Sequence, residues 1–246
     1  MQQAQTDWFE TWFGSPYYKV LYQHRDELEA REFVENLLKY LNPLPDSRML
    51  DIACGEGRFA KQLAEHGFDV TGIDLSHYSI EKAQKDANDK LHFYVHDMRY
   101  PFYINYFDYA FNFFTSFGYF TQNRDNVLAA KSFAAALKKN GLLVVDYLNK
   151  DYTLQRLKPV SEIQRGDLTF HIKKQLSDGH FVKDISFVDT EKRERHFKES
   201  VAAFTLSDFI KIFKEAKLTL VGTFGDYNLN NYHPTDSPRM IMIFKK

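Results

Sequence analysis

Met49-Leu50-Asp51-Ile52-Ala53-Cys54-Gly55-Glu56-Gly57-Arg58-Phe59-Ala60 decides how this chain is read. A short apolar run, Met49, Leu50, Ile52 and Ala53, leads into Gly55-x-Gly57, and a helical pattern starts at once. Strand, glycine turn and helix form the opening βα unit of a nucleotide-binding sheet. The two glycines allow a sharp turn and leave room for a ligand where a Cβ would block it. By itself, Gly55-x-Gly57-x-x-Ala60 also fits a dinucleotide fingerprint. The carboxylates separate the two readings. Asp51 lies near the strand's end and Glu56 inside the turn. A turn that holds pyrophosphate at a helix N-terminus gains from lacking negative charge. A turn with acids suits a ligand that carries ammonium or sulfonium and no phosphate.

Downstream, Phe68 to Ile73 reads as a second strand ending in Asp74, and a helix capped by Ser76 is expected to run to about Asn88. A carboxylate at that strand tip offers several lone pairs to the two hydroxyls of an adenosine ribose. Leu91 to Val95 is a third strand, closed by His96-Asp97-Met98-Arg99. Asp97 there is placed to accept from an adenine amino group, with Met98 giving backbone and apolar contact. Three acids at successive strand ends after a glycine turn point to S-adenosylmethionine. Phe107 to Phe114, nearly all apolar, reads as a central strand buried on both faces. Thr115 to Phe120 continues from its C-terminal end, where open α/β sheets hold ligands. A helix over Val127 to Leu137, stopped by Asn140-Gly141, precedes strand five, Leu142 to Tyr147.

From Val160 to Ala203 the helical period gives way to alternation, with turns at Ser177-Asp178-Gly179 and Asp189 to Lys192. That is an antiparallel insertion of three or four strands. Its charged run, Glu191 to Glu199, is mixed in sign and reads as a solvated face. A helix over Ser207 to Ala216, with Phe209, Ile210 and Phe213 inward, precedes closing strands Leu218 to Phe224 and Arg239 to Phe244. Upstream, Asp26 to Leu41 is an amphipathic helix stopped by Asn42-Pro43-Leu44-Pro45. Before it lies an aromatic arm, residues 8–25, that reads either as packing on the core or as a flap over a ligand. The expected organisation is residues 1–45 as arm and helix, 46–150 with 204–246 as the ligand-binding domain, and 151–203 as an inserted β cap.

Composition bounds the rest. At 246 residues the chain buries a substantial core. A net charge of −1 gives no global attraction for nucleic acid or anionic membrane. The opening Met-Gln-Gln-Ala-Gln-Thr-Asp lacks a basic and an apolar signal region, and no apolar run approaches a membrane span. The single cysteine, Cys54, excludes an internal disulfide and fits a reducing cytoplasm. The expected partner is a small-molecule substrate, with no nucleic acid, no membrane and no metal, in a monomer or homodimer.

The chain resembles the class I S-adenosylmethionine-dependent methyltransferases in Leu50 to Gly57, Gly72-Ile73-Asp74-Leu75-Ser76 and His96-Asp97-Met98-Arg99. More narrowly, it is similar to bacterial small-molecule members such as the sugar N,N-dimethyltransferases of macrolide pathways. That similarity lies in Tyr17 to Tyr22, Phe107-Asp108-Tyr109, Ser116 to Tyr119 and the β insertion with Phe204-Thr205-Leu206. The resemblance implies a Rossmann-like α/β fold, a doubly wound, mainly parallel seven-stranded sheet with its last strand antiparallel. It implies that Asp51, Gly55 and Gly57 surround the methionine part, Asp74 the ribose, and Asp97 and Met98 the adenine. Ala53, Leu75 and Phe113 complete the expected cofactor set. Glu56 and Arg58 depart from the family's usual small or hydroxyl residues. Tyr18, Tyr22, His24 and Tyr119 are the side chains expected around the methyl acceptor, with His24 a candidate base. A nicotinamide-dependent oxidoreductase, a nucleic-acid methyltransferase and a non-catalytic cofactor-binding partner are the alternatives. Asn112-Phe113-Phe114-Thr115 lacks the paired prolines of amino-methylating DNA and RNA enzymes.

Overall fold

A computed structural model describes residues 8–22 and 27–246. The chain divides into two compact units, Met1–Arg25 with Leu154–Ala203 and Asp26–Thr153 with Phe204–Lys246. The aromatic arm and the β insertion thus form one unit, whereas the helix at the start of Asp26–Thr153 belongs to the other.

The smaller unit opens with helices α1 (Trp8–Phe13) and α2 (Pro16–Tyr22). Pro16 starts α2 because its fixed φ suits a first helical position and its missing N–H is not needed there. The larger unit begins with α3 (Glu27–Leu41), which buries Ala30, Phe33, Val34 and Leu37 at helical spacing. The alternation β1 (Arg48–Ile52), α4 (Arg58–Glu65), β2 (Asp69–Asp74), α5 (His77–Ala83), β3 (Leu91–Val95), β4 (Phe107–Asn112), α6 (Asn123–Ala136), β5 (Leu137–Leu148) follows. The short helix α7 (Lys150–Gln155) contains the boundary between the units. The smaller unit resumes with β6 (Val160–Arg165), β7 (Leu168–Ser177), β8 (His180–Val188) and β9 (Glu194–Ala202). Then α8 (Leu206–Glu215), β10 (Thr219–Phe224) and β11 (Arg239–Lys245) complete the larger one.

The larger unit holds a seven-stranded sheet in the order β10-β11-β5-β4-β1-β2-β3. Strands β1 to β5 pair in parallel, and β11 runs antiparallel to both β5 and β10. The strand order reverses at β1 and β4, the switch point where such sheets leave a crevice at their C-terminal ends. Met49, Leu50, Ile52, Ala110 and Phe111 are buried there because helices cover both faces.

Four local expectations are corrected. Strand four ends at Asn112, not Phe114, because Phe114 and Thr115 take left-handed φ of 58° and 60°. The helix after Ser76 ends at Ala83 and becomes a 3-10 turn over Gln84–Asp86. Strand five starts at Leu137, directly after α6, rather than beyond Asn140-Gly141. Ile210 is 39 % exposed, while Ile212 joins Phe209 and Phe213 inward, one helical turn from Phe209.

The four-stranded antiparallel sheet of the smaller unit runs β6-β7-β8-β9. Asp178 and Gly179 (φ 49° and 72°) make its β7–β8 turn, the left-handed pair that a tight hairpin requires. Trp12 and Leu21, both fully buried, pack with Phe170, Ile172, Ile185 and Phe187. For these two side chains the arm is core packing.

Candidate active site

Asp51 is the penultimate residue of β1 and is only 1 % exposed. The chain then leaves the sheet through left-handed Ala53 (φ 59°), Gly55 (58°) and Gly57 (81°). A non-glycine residue there costs about 1–2 kcal/mol, so the turn at Ala53 is held by its surroundings. Those surroundings are hydrogen bonds: Cys54 N–H to Ile73 O at 3.0 Å and Gly57 N–H to Cys54 O at 3.0 Å. Gly57 has a packing reason as well as a conformational one. A Cβ on it would lie 2.5 Å from the Phe93 ring, whereas a Cβ on Gly55 meets nothing within 4 Å. Gly55 therefore borders open space, and Gly57 is pressed against the core. Helix α4 starts at Gly57 without a side-chain cap, and the Ala60 N–H of its first turn is directed at Asp51.

Asp74, the last residue of β2, reaches back to this turn. Its Oδ2 accepts Gly55 N–H at 2.8 Å and its Oδ1 accepts Ser76 N–H at 2.8 Å. Each oxygen keeps a lone pair for a further donor. Burial raises the Asp74 carboxyl pKa, and the two N–H groups hold it down in part. Asp51 is affected more. Burial and then the negative charge of Asp74 push it from 3.8 to about 8, against the pull of the Ala60 N–H and Arg58. Its Oδ2 is buried and has no hydrogen-bond partner among the described residues. That is an acidic, donor-hungry position in a turn whose sheet normally binds a nucleotide.

Asp97 and Met98 follow β3, and His96 N–H bonds Asp74 O at 2.9 Å, which ties the two strand ends together. Arg99 grips Asp97, its NH2 2.6 Å from Oδ2 and its Nε 2.9 Å from the same oxygen. Burial raises the Asp97 pKa, but these bonds and the Arg99 charge bring it below its ordinary value. Leu75 and Met98 are half-buried. Phe113 is 3 % exposed and stacked on Phe59 at 4.2 Å, so its side chain belongs to the core. The structure therefore gathers Asp51, Ala53, Gly55, Gly57 and Asp74 around one turn, with Asp97 next in sequence to His96, whose N–H bonds Asp74 O.

The residues expected around an acceptor are distributed otherwise. Tyr119, in the larger unit, donates its hydroxyl to Thr115 O at 2.6 Å. Tyr18 and Tyr22 lie in the smaller unit with ring centroids 5.0 Å apart, and Tyr22 donates to Glu199 Oε1 at 2.7 Å. His24 falls outside the described residues.

A polar group that the sequence reading passed over stands at the end of β4 and β5. Asp146, with no exposure, accepts from Phe114 N–H at 2.8 Å, Tyr227 OH at 3.1 Å and Arg239 Nε at 2.7 Å. Arg239 NH2 also donates to Thr115 Oγ1 at 3.0 Å. Burial opposes the Arg239 charge, but Asp146 outweighs it and the guanidinium pKa rises. The group clamps the left-handed Phe114–Thr115 turn at the switch point. Its one sequence signal was an acid inside the apolar run Leu142 to Leu148.

Comparison with known proteins shows the family and the fold. The family described as "Methyltransferase domain" matches residues 22–221. A putative methyltransferase YqeM of Bacillus subtilis (strain 168) is 35 % identical over 129 residues, 49 % of this chain and 51 % of that protein. The chain spans about half the length of the curated relatives it matches. A solved S-adenosylmethionine-dependent methyltransferase from Clostridium acetobutylicum ATCC 824 superposes with TM-score 0.78 at 19 % identity, covering 93 % of this chain and 95 % of the other. CalS10, an amino pentose methyltransferase from Micromonospora echinaspora solved with S-adenosylmethionine bound, gives 0.69 at 16 % identity over 94 % and 97 %. At these identities the likeness is one of fold.

Proposed function

We propose that this chain, which belongs to the methyltransferase-domain family, transfers a methyl group from S-adenosylmethionine to a small-molecule acceptor, an amine. The observation that carries the reading is Asp51, a buried carboxylate with an unpartnered oxygen next to Asp74 at the glycine turn. An ammonium draws the proton off Asp51 and pairs with the charge, whereas a pyrophosphate gains no such partner from either acid. The residues fit the cofactor: Asp51 would take the methionine ammonium, the uncapped start of α4 its carboxylate, and Asp74 the ribose hydroxyls.

S-adenosylmethionine supplies an electrophilic methyl on a positive sulfur. An amine nitrogen held behind that methyl would take it with its lone pair, the N–C bond forming as the S–C bond breaks. The product ammonium then loses its proton to solvent. A neutral amine needs no strong base for this, so orientation carries the rate, and well-oriented pairs gain roughly 7–11 kcal/mol. Tyr119, in the same unit as the glycine turn, is our candidate for lining the acceptor, since tyrosine faces favour cationic groups. The small-molecule reading is supported by the likeness in fold to CalS10, an amino pentose methyltransferase. A net charge of −1 favours a small acceptor over nucleic acid. Among the described residues no helix is long and apolar enough to cross a membrane. We place the protein in a reducing compartment such as the cytoplasm, which suits the free buried Cys54, and as a monomer or homodimer.

The test is methyl transfer from labelled cofactor to a panel of small amines, hydroxyls, carboxylates and RNA. Label entering amines is the expected result. Label entering RNA, with binding that falls steeply in salt, would replace the small-molecule reading. Label entering nothing, with cofactor bound, would favour a non-catalytic role.

A further inference from the structure

The helix-covered face of the smaller unit's sheet carries a row of charge across three strands. Lys174 on β7 stands opposite Lys183 on β8, and Lys183 opposite Glu199 on β9. The next row on that face, Ile172, Ile185 and Phe197, is apolar and belongs to the unit's core. Glu199 is saturated with donors. Its Oε1 accepts Trp12 Nε1 at 2.7 Å and Tyr22 OH at 2.7 Å, and its Oε2 accepts Lys183 Nζ at 2.5 Å. Lys183 also reaches the Tyr22 hydroxyl and lies 5.0 Å from the centre of that ring.

Lys174 has no such company. Its ammonium makes no hydrogen bond or ion pair among the described residues, though the residue is half-buried. Two ammonium groups therefore share one carboxylate that the second already holds. Like charges directly opposite one another on a sheet destabilise it, and half-burial sharpens the penalty. Burial and the Lys183 charge both lower the Lys174 pKa, and Lys158 adds to them against the pull of Glu199. A local rule broken without compensation inside the fold is the mark of a functional position.

We propose that Lys174 and Lys183 form a binding site for an oxyanion, a phosphoryl or carboxylate group carried by a small molecule. One such group supplies the missing negative charge and at least two acceptor oxygens, one for each ammonium. This site goes beyond the methyl-transfer reading and does not depend on it, because no cofactor takes part in its test.

Both tryptophans of the chain, Trp8 and Trp12, lie in this unit, and Trp12 is bonded to Glu199, so intrinsic fluorescence reports on the row. The whole chain is titrated with inorganic phosphate and, separately, with acetate, sodium chloride holding the ionic strength constant. A saturable change absent with chloride is expected, and Lys174→Gln should weaken it about tenfold or more while Lys174→Arg retains it. A response to phosphate alone assigns a phosphoryl ligand, and one to acetate alone a carboxylate. Thermal melting of Lys174→Gln without ligand should match or exceed that of the parent, since a like-charge contact is relieved. The proposal is overturned if neither anion differs from chloride, if Lys174→Gln binds as tightly as the parent, or if that variant melts lower.

Discussion

Asp146 and Arg239 meet diagonally across neighbouring antiparallel strands, where Arg239 stands opposite Leu148 and Asp146 opposite Ile241, with Arg239 Nε 2.7 Å from Asp146 Oδ1 and the carboxylate wholly buried. A buried pair of this kind is weak as a source of stability but costly to break from one side. Arg239→Met strands the Asp146 charge and should lower stability by about 3–5 kcal/mol in denaturant unfolding. Arg239→Lys keeps the charge, loses the second branch to Thr115 and should cost less. Equal losses in the two variants would show that charge plays no part.

Asp51 makes stability and cofactor binding pull against each other. Its folded pKa, about 8, lies above the ordinary 3.8, so folding favours its protonated form. The stabilising contribution is full below pH 3.8 and drains away as pH rises through about 8. Asp51→Asn should therefore remove this fall from the stability–pH curve and leave the ligand-free protein at least as stable at pH 8. The same change should weaken S-adenosylmethionine binding by about 1.5–3 kcal/mol, because the amide no longer answers an ammonium with charge. Parallel urea titrations across this pH range, with and without ligand, check both halves.

The two glycines of the turn should fail in different ways. Gly55→Ala puts a Cβ into open space at φ 58°, so folding loses about 1–2 kcal/mol while the ligand loses room. Gly57→Ala drives a Cβ into the Phe93 ring at φ 81° and should cost roughly 3 kcal/mol of stability. Melting curves and cofactor titrations of both variants separate the roles. A Gly55→Ala protein that binds normally would move the ligand elsewhere.

What the sequence made legible was the part governed by local rules. Asp51, Asp74 and Asp97 stand at strand ends that apolar runs announce, and the count of seven strands followed from the same runs, whereas the antiparallel last strand was implied by the family resemblance. Turn chemistry misled at Lys138-Lys139-Asn140-Gly141. Asn140 is left-handed (φ 65°), as a turn residue should be, yet the segment is a bulged strand start. Lys138 is held there by both oxygens of Asp108 at 2.8 Å, a partner thirty positions away that no local pattern displays. The Asp146–Arg239 pair was hidden for the same reason. Alternation says that position 146 is inside a sheet, but its opposite partner is Ile241, and only the folded β11 brings Arg239 to it along the diagonal. The arm's aromatics gave two readings because burial of Trp12 depends on strands that come more than a hundred residues later.

The central claim is that the acids of the glycine turn select a cationic, phosphate-free cofactor. Calorimetric titration of the whole chain with S-adenosylmethionine and with NAD, in two buffers of different ionisation enthalpy near pH 7, tests it directly. Binding of S-adenosylmethionine with release of a proton from Asp51, and no binding of NAD, is the result this account predicts. NAD binding as tightly as S-adenosylmethionine, or S-adenosylmethionine failing to bind at all, would contradict it.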